Sequence, residues 1–162
     1  MKRICLAVMC LVLCLLLTGC TGLVRIEGSS MEPTLMDGHI ALAAPYSTVD
    51  EIQRFDVVLC HFPGRGELLF SKRIVGLPGD RVALQDGFLY VNGVRCEESY
   101  VSSGNRPRDF AEVTVPEGCC FVMGDNRRSS HDSRSSNVGP LPLDSIISEI
   151  VLVILPDMHP IQ

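Results

Sequence analysis

Turn-forming residues interrupt this chain so often beyond residue 24 that its ordered segments can only be short. Residues 39–44, 56–61, 68–75, 81–84 and 88–91 are brief apolar or alternating runs, each bounded by Gly, Pro or Asp. That is the pattern of strands rather than helices. Gln85-Asp86-Gly87 and Asn92-Gly93 have hairpin chemistry, because Gly and Asn accept a positive φ at little cost. Residues 114–115, 119–123 and 150–155 add further strands, and only residues 143–148, beginning near Pro142 and Asp144, predict a short helix. The expected fold is mainly β, an antiparallel sheet domain with coiled connections. Residues 99–108, which contain Ser102-Ser103-Gly104-Asn105 and Pro107, predict the flexible loop.

The N-terminus obeys a different rule. Lys2 and Arg3 precede an apolar stretch over residues 4–17, and no further charge occurs until Arg25. Positive charge before such a run predicts a cytoplasmic N-terminus and export of the chain beyond the run. At about 1.5 Å per residue, the uncharged residues 4–24 can cross a hydrocarbon layer of about 30 Å as one membrane helix. The predicted organisation is therefore a membrane anchor over residues 1–24 and one extracytoplasmic domain over residues 25–162, with the lipid bilayer as a partner. An alternative stays open: Leu17-Thr18-Gly19-Cys20 resembles a lipoprotein processing site with Cys20 as acceptor. Either route tethers the domain to the outer face of the cell membrane.

Charge and cysteine usage narrow the classes. A net charge of -5, with no basic run longer than two residues, argues against a phosphate-tracking surface, so nucleic acid is not an expected partner. Cys60, Cys96, Cys119 and Cys120 in the exported part form no CxxC or His-rich set, so no metal or other cofactor is expected. They read as structural residues, and their disulfide state is open.

Three blocks carry chemistry. The first is Gly28-Ser29-Ser30-Met31-Glu32-Pro33-Thr34-Leu35. The second, Ser71-Lys72-Arg73-Ile74-Val75-Gly76-Leu77-Pro78-Gly79-Asp80, places a lysine inside an apolar run. The third is Met123-Gly124-Asp125-Asn126-Arg127-Arg128-Ser129-Ser130-His131-Asp132-Ser133-Arg134. A serine hydroxyl needs a base within hydrogen-bond reach, and an exposed lysine is almost fully protonated at neutral pH. Burial penalises the ammonium form and can bring the amine into working range. Leu68, Leu69, Phe70, Ile74 and Val75 surround Lys72 with the greasy environment this requires.

In this order, behind an apolar N-terminus, the blocks resemble the bacterial type I signal peptidases, membrane-bound serine proteases with a Ser–Lys dyad. The resemblance runs from about Val24 to Pro156 and implies Ser30 as nucleophile and Lys72 as general base. It implies that Ser130 orients the lysine amine and that Asp132, Arg134 and Arg73 form ion pairs beside the site. The Ser30 backbone N–H is the natural oxyanion donor. Some relatives add a hydroxyl two residues earlier, a position held here by Gly28, so the second donor is open. Gly124-Asp125-Asn126 is expected to make the turn that presents Ser130, with Arg127 and Arg128 partly a solvated loop. His131 beside Asp132 invites a Ser-His-Asp reading, but adjacent residues seldom face each other as a base and its partner.

The implied activity is removal of signal peptides from exported preproteins, cut after small residues. Substrate-binding residues are not legible. Alternatives are a peptidase dedicated to one pilus or secretion substrate, a self-cleaving Ser–Lys repressor-type peptidase, and an inactive envelope lipoprotein that binds leader peptides.

Overall fold

The structure, a computed structural model, describes residues 22–161. The anchor expected over residues 1–24 falls mostly outside the described residues, and so does Cys20. Its last three residues do not: Gly22–Arg25 form strand β1, paired antiparallel with β2 (Ile40–Ala44). Among the described residues no helix is long and apolar enough to cross a membrane.

The larger sheet adds β3 (Val57–His61), β4 (Leu69–Gly76), β9 (Cys119–Met123), β10 (Leu141–Pro142), β11 (Ile146–Leu155) and β12 (His159–Pro160). Its order is β1-β2-β11-β3-β4-β9-β10, with β12 also on β11. A smaller sheet of order β7-β6-β5-β8 contains β5 (Arg81–Gln85), β6 (Phe88–Val91), β7 (Val94–Arg95) and β8 (Phe110–Thr114). Every strand pair in both sheets is antiparallel, as the sequence pattern predicts.

Both expected hairpins form. Asp86-Gly87 has positive φ at both positions (51° and 75°) and joins β5 to β6, and Asn92-Gly93 (54° and 78°) joins β6 to β7. Gly76 ends β4 where the sheets meet. A Cβ there would fall 2.6 Å from Val82 Cγ2, so only glycine lets the chain cross at this point.

Residues 143–148 depart from the expected helix. One 3-10 turn spans Leu143–Ser145, and β11 then starts at Ile146, four residues before the predicted strand. The reason is period-two burial: Ile146, Ser148 and Ile150 face inward while Ile147 is exposed, and β3 offers the partner backbone.

Apolar packing concentrates in three clusters. The first, with Ile26, Met31, Leu35, Ala41 and Val153, seats the loop after β1. A second, with Val58, Cys60, Phe62, Ile74 and Val122, lies across β3, β4 and β9. The third, with Val75, Val82, Leu89 and Phe121, joins the two sheets. Because β4 has partners on both sides, a residue at its centre is shielded by sheet as well as by side chains.

Candidate active site

Lys72 is at that centre. It pairs with Val58 of β3 and retains only 3% of its surface. Its Nζ lies 2.8 Å from Ser30 Oγ and donates to the Ser71 carbonyl at 2.6 Å. The Phe62 ring is 5.9 Å from the amine and stacks on Phe70. Burial pushes the Lys72 pKa below its ordinary value, and the opposing pull of the Asp132 and Asp125 carboxylates does not reverse it. Cys60 is buried too, which raises its thiol to about 12 despite the amine nearby, so it stays protonated.

Ser30 reaches the lysine because its loop is tied at both ends. Ile26 N–H donates to His39 O at 2.8 Å, and Gly38 N–H donates back to Ile26 O at 2.9 Å. Gly28 has φ +84° and gives its N–H to Asp37 Oδ1 at 2.7 Å. A side chain would be strained there, and this N–H is already committed. Met31 is sealed in the core with Leu35. None of the hydrogen bonds among the described residues uses the Ser30 N–H.

The third block clamps this loop from the other side. Asn126 donates its backbone N–H to Ser30 O at 3.1 Å and its side-chain amide to Ser29 O at 3.0 Å. Gly124 permits the approach, since a Cβ on it would meet Ser130 Oγ, Ser130 Cβ and the Ser30 carbonyl. Asp132 is fully buried and accepts from Gly124 N–H at 2.9 Å and from Nε and Nη2 of Arg134, each at 2.7 Å. Burial alone would raise the Asp132 carboxyl, but Arg134 and the Gly124 N–H outweigh it and hold the group below the usual carboxylate range.

Arg73, the residue after the lysine, points to the opposite face of β4 and forms a two-pronged pair with Asp125: Nε–Oδ1 2.9 Å and Nη2–Oδ2 2.8 Å. A third contact runs from Arg73 Nη1 to Phe55 O at 2.8 Å, and Tyr100 stacks 3.8 Å from the guanidinium. Thr34 Oγ1 donates to Asp125 Oδ2. One buried carboxylate therefore joins the serine loop, the lysine strand and the third block.

Ser30, Lys72, Arg73, Ser130, Asp132 and Arg134 all converge, but two expectations need correction. Ser130 makes no hydrogen bond to Lys72: its Oγ is buried without a partner, wedged beside Gly124. Its contact with the Asp132 carboxylate favours the ionised acid but falls outside hydrogen-bond geometry. The Ser71 carbonyl directs the amine instead. Arg127 is not part of a solvated loop. It is buried against Glu98 in a two-pronged pair and donates from Nε to Gly124 O at 3.0 Å. Arg128 is exposed, as expected.

His131 is exposed, and its ring nitrogen contacts Ser135 Oγ at 3.0 Å rather than Ser30. The four described cysteines are free. Sequence reasoning missed Thr34, Glu98, Tyr100 and Asn105. Three of them lie in or next to the segment expected to be loose, where Asn105 donates to Asp125 O at 3.3 Å and to Asn126 Oδ1 at 3.2 Å. Only the polar character of Thr34 and Asn105 could have marked them.

Beside Ser30 and Lys72 runs a cleft of about 290 Å³, walled by Val24, Ile26, Leu59 and Phe70, with Arg25 and Glu27 also on its lining and rims at residues 24–27 and 68–71. Against known proteins, the profile of the family "Signal peptidase, peptidase S26" matches residues 1–155. Signal peptidase I of Bacillus caldolyticus is 38% identical over 139 residues, covering 77% of this chain and 74% of the relative. Signal peptidase I T of Bacillus subtilis (strain 168) is 36% identical over 141 residues, covering 81% and 72%. The crystal structure of a signal peptidase I from Enterococcus faecalis V583 superposes with a TM-score of 0.53 at 35% identity, over 64% of this chain and all of that one. With the fold, the three blocks and the matched length in agreement, the chain belongs to the peptidase S26 family and is a serine endopeptidase of the signal peptidase I type.

Proposed function

We propose that this chain removes signal peptides from preproteins, with Ser30 as nucleophile and Lys72 as general base. The observation that carries the reading is the 2.8 Å approach of a buried lysine amine to a serine hydroxyl. A neutral Lys72 has one lone pair and two N–H groups. One N–H is held by the Ser71 carbonyl, which aims the lone pair at the Ser30 O–H. Ser30 Oγ attacks the scissile carbonyl as its proton passes to Nζ, and the oxyanion that develops meets the free Ser30 N–H. The ammonium returns the proton to the leaving amine, which gives an acyl-enzyme. Lys72 then deprotonates the water that releases it.

Asp125 and Arg73 hold the two reacting strands in register, and Ser130 contributes a buried hydroxyl beside the Ser30 carbonyl. The shallow, mostly apolar cleft suits an extended leader ending in small side chains, added as a strand between the rims at residues 24–27 and 68–71. The uncharged N-terminal stretch supports an anchor in the cell membrane, single-pass with the domain on the extracytoplasmic face. Since β1 starts at Gly22, Ser30 sits close to the lipid surface in this reading.

The test uses the full chain in detergent with a precursor whose last residue before the cut is varied. Cleavage is expected after Ala or Gly and is expected to fall by at least about a hundredfold with Leu or Phe there. His131→Ala should leave the rate within about twofold, since that ring takes no part. Indifference to the residue before the cut, or loss of activity in His131→Ala, would overturn the reading.

A further inference from the structure

Ser130, which packs with the Ser30 carbonyl against Gly124, also lines a second, wider depression of about 580 Å³. Five of the residues around it are arginines, and Asp109 is the sole carboxylate. Arg127 is neutralised by Glu98, and Arg134 by Asp132. The other three are not compensated. Arg108 and Arg128 have no ion-pair partner among the described residues, and Arg106 only stacks over the Phe88 ring at 3.9 Å. Asp109 is turned to the β5–β6 hairpin, where it accepts the N–H groups of Asp86 (3.0 Å) and Gly87 (2.9 Å). Arg108 and Arg128 leave two guanidinium groups without a counter-charge at one depression of a chain with net charge -5, a local repulsion that an anion would relieve.

We propose that this depression binds acidic side chains of the preprotein on the mature side of the scissile bond, with Arg108 and Arg128 as the specificity-determining residues. The inference rests on the peptidase reading above. The cleft on Lys72 has mostly apolar walls and in that reading takes the leader, so the chain leaving Ser30 needs another exit. The depression joined to Ser30 through Ser130 and Gly124 supplies one of opposite chemistry. Planar guanidinium groups match carboxylates two prongs at a time. A peptide fits better than a lipid headgroup because the exposed apolar side chains a bilayer would cover include Leu23, Leu68 and Leu69, beside the leader cleft. None of the arginine depression's residues is a large exposed apolar one.

Three precursor peptides decide it, identical except for a Glu, Gln or Lys block within about the first six residues after the cut, a reach of about 20 Å when extended. The full chain in detergent at low salt is expected to prefer the Glu over the Lys peptide by about tenfold in kcat/KM, mostly through KM, and less so as salt rises. Arg108→Gln/Arg128→Gln, which spares the Phe88 stack, should bring that ratio near one while the Gln peptide is cut at the parental rate. Equal rates for the Glu and Lys peptides in the parent, or an unchanged ratio in the variant, would overturn the proposal. So would phosphatidylglycerol vesicles that accelerate all three peptides equally in the parent but not in the variant, since headgroups would then be the occupant. Binding of the labelled peptides to Ser30→Ala separates the two readings: discrimination between Glu and Lys should persist there. If the parent binds with that preference yet cuts none of the peptides, the peptidase reading fails and the depression stands.

Discussion

Lys72→Ala is expected to lower kcat/KM for a signal-peptide precursor by at least about a thousandfold, and Ser30→Ala by a similar factor. The double variant should be no worse than either single one, because nucleophile and base act as one unit and removing either leaves the other idle. The structural basis is specific. Lys72 Nζ has two contacts, Ser30 Oγ at 2.8 Å and the Ser71 carbonyl at 2.6 Å, and no other base bonds Ser30. Neither substitution should unfold the chain, since the Lys72 stem faces an apolar cluster that tolerates an apolar replacement. Lys72→Met keeps more of that packing and is the cleaner control. Additive losses in the double variant would mean that the two residues do not share a step.

Asp125→Ala is expected to cost about 3–5 kcal/mol of folding stability, the second large effect. Asp125 and Arg73 retain 0% and 1% of their side-chain surface, so deleting the carboxylate removes both prongs of a buried pair, while contacts such as those to the Phe55 carbonyl and the Tyr100 ring remain. It also removes the acceptor of the Thr34 hydroxyl, which frees the serine loop. Replacing both partners with apolar residues of similar volume should cost less than either single alanine, because no uncompensated charge stays buried. Urea unfolding of the three variants measures this, and a loss under about 1 kcal/mol for Asp125→Ala would contradict the account.

How far the sequence alone could lead depends on the range of each interaction. Hairpins at Asp86-Gly87 and Asn92-Gly93 are local facts of backbone preference and were legible outright. The burial of Lys72 was legible only through the motifs: a lysine in an apolar run ordinarily points outward, and Leu68 and Leu69 beside it are themselves exposed. The helix expected at residues 143–148 failed because Pro142 and Asp144 signal a start, and only one 3-10 turn answers it. The deciding influence was the edge of β3, distant in sequence. The site divides the same way. Ser30, Lys72 and the charges of the third block stood out as motifs, but the pairing of Arg73 with Asp125 rather than with a neighbour depends on strand alternation across β4. Arg127 looked solvated because its partner Glu98 comes from a loop with no pattern of its own. Ser130 was expected to orient the amine, a role that local geometry gives to the Ser71 carbonyl.

The central claim is that Lys72 is neutral when it works, and the chain allows a direct test because Lys2 and Lys72 are its only lysines. Selective 13C labelling of lysine Cε therefore gives two NMR signals, with Lys2 as internal reference. Titrated in detergent, the Lys72 signal should turn below 10.5, as burial requires, and the rising limb of kcat/KM should track it. Because the unfolded lysine binds a proton that the folded one has released, folding stability should also rise with pH between those two values. Titration of Lys72 at or above 10.5, with the rate unresponsive to it, would contradict the account.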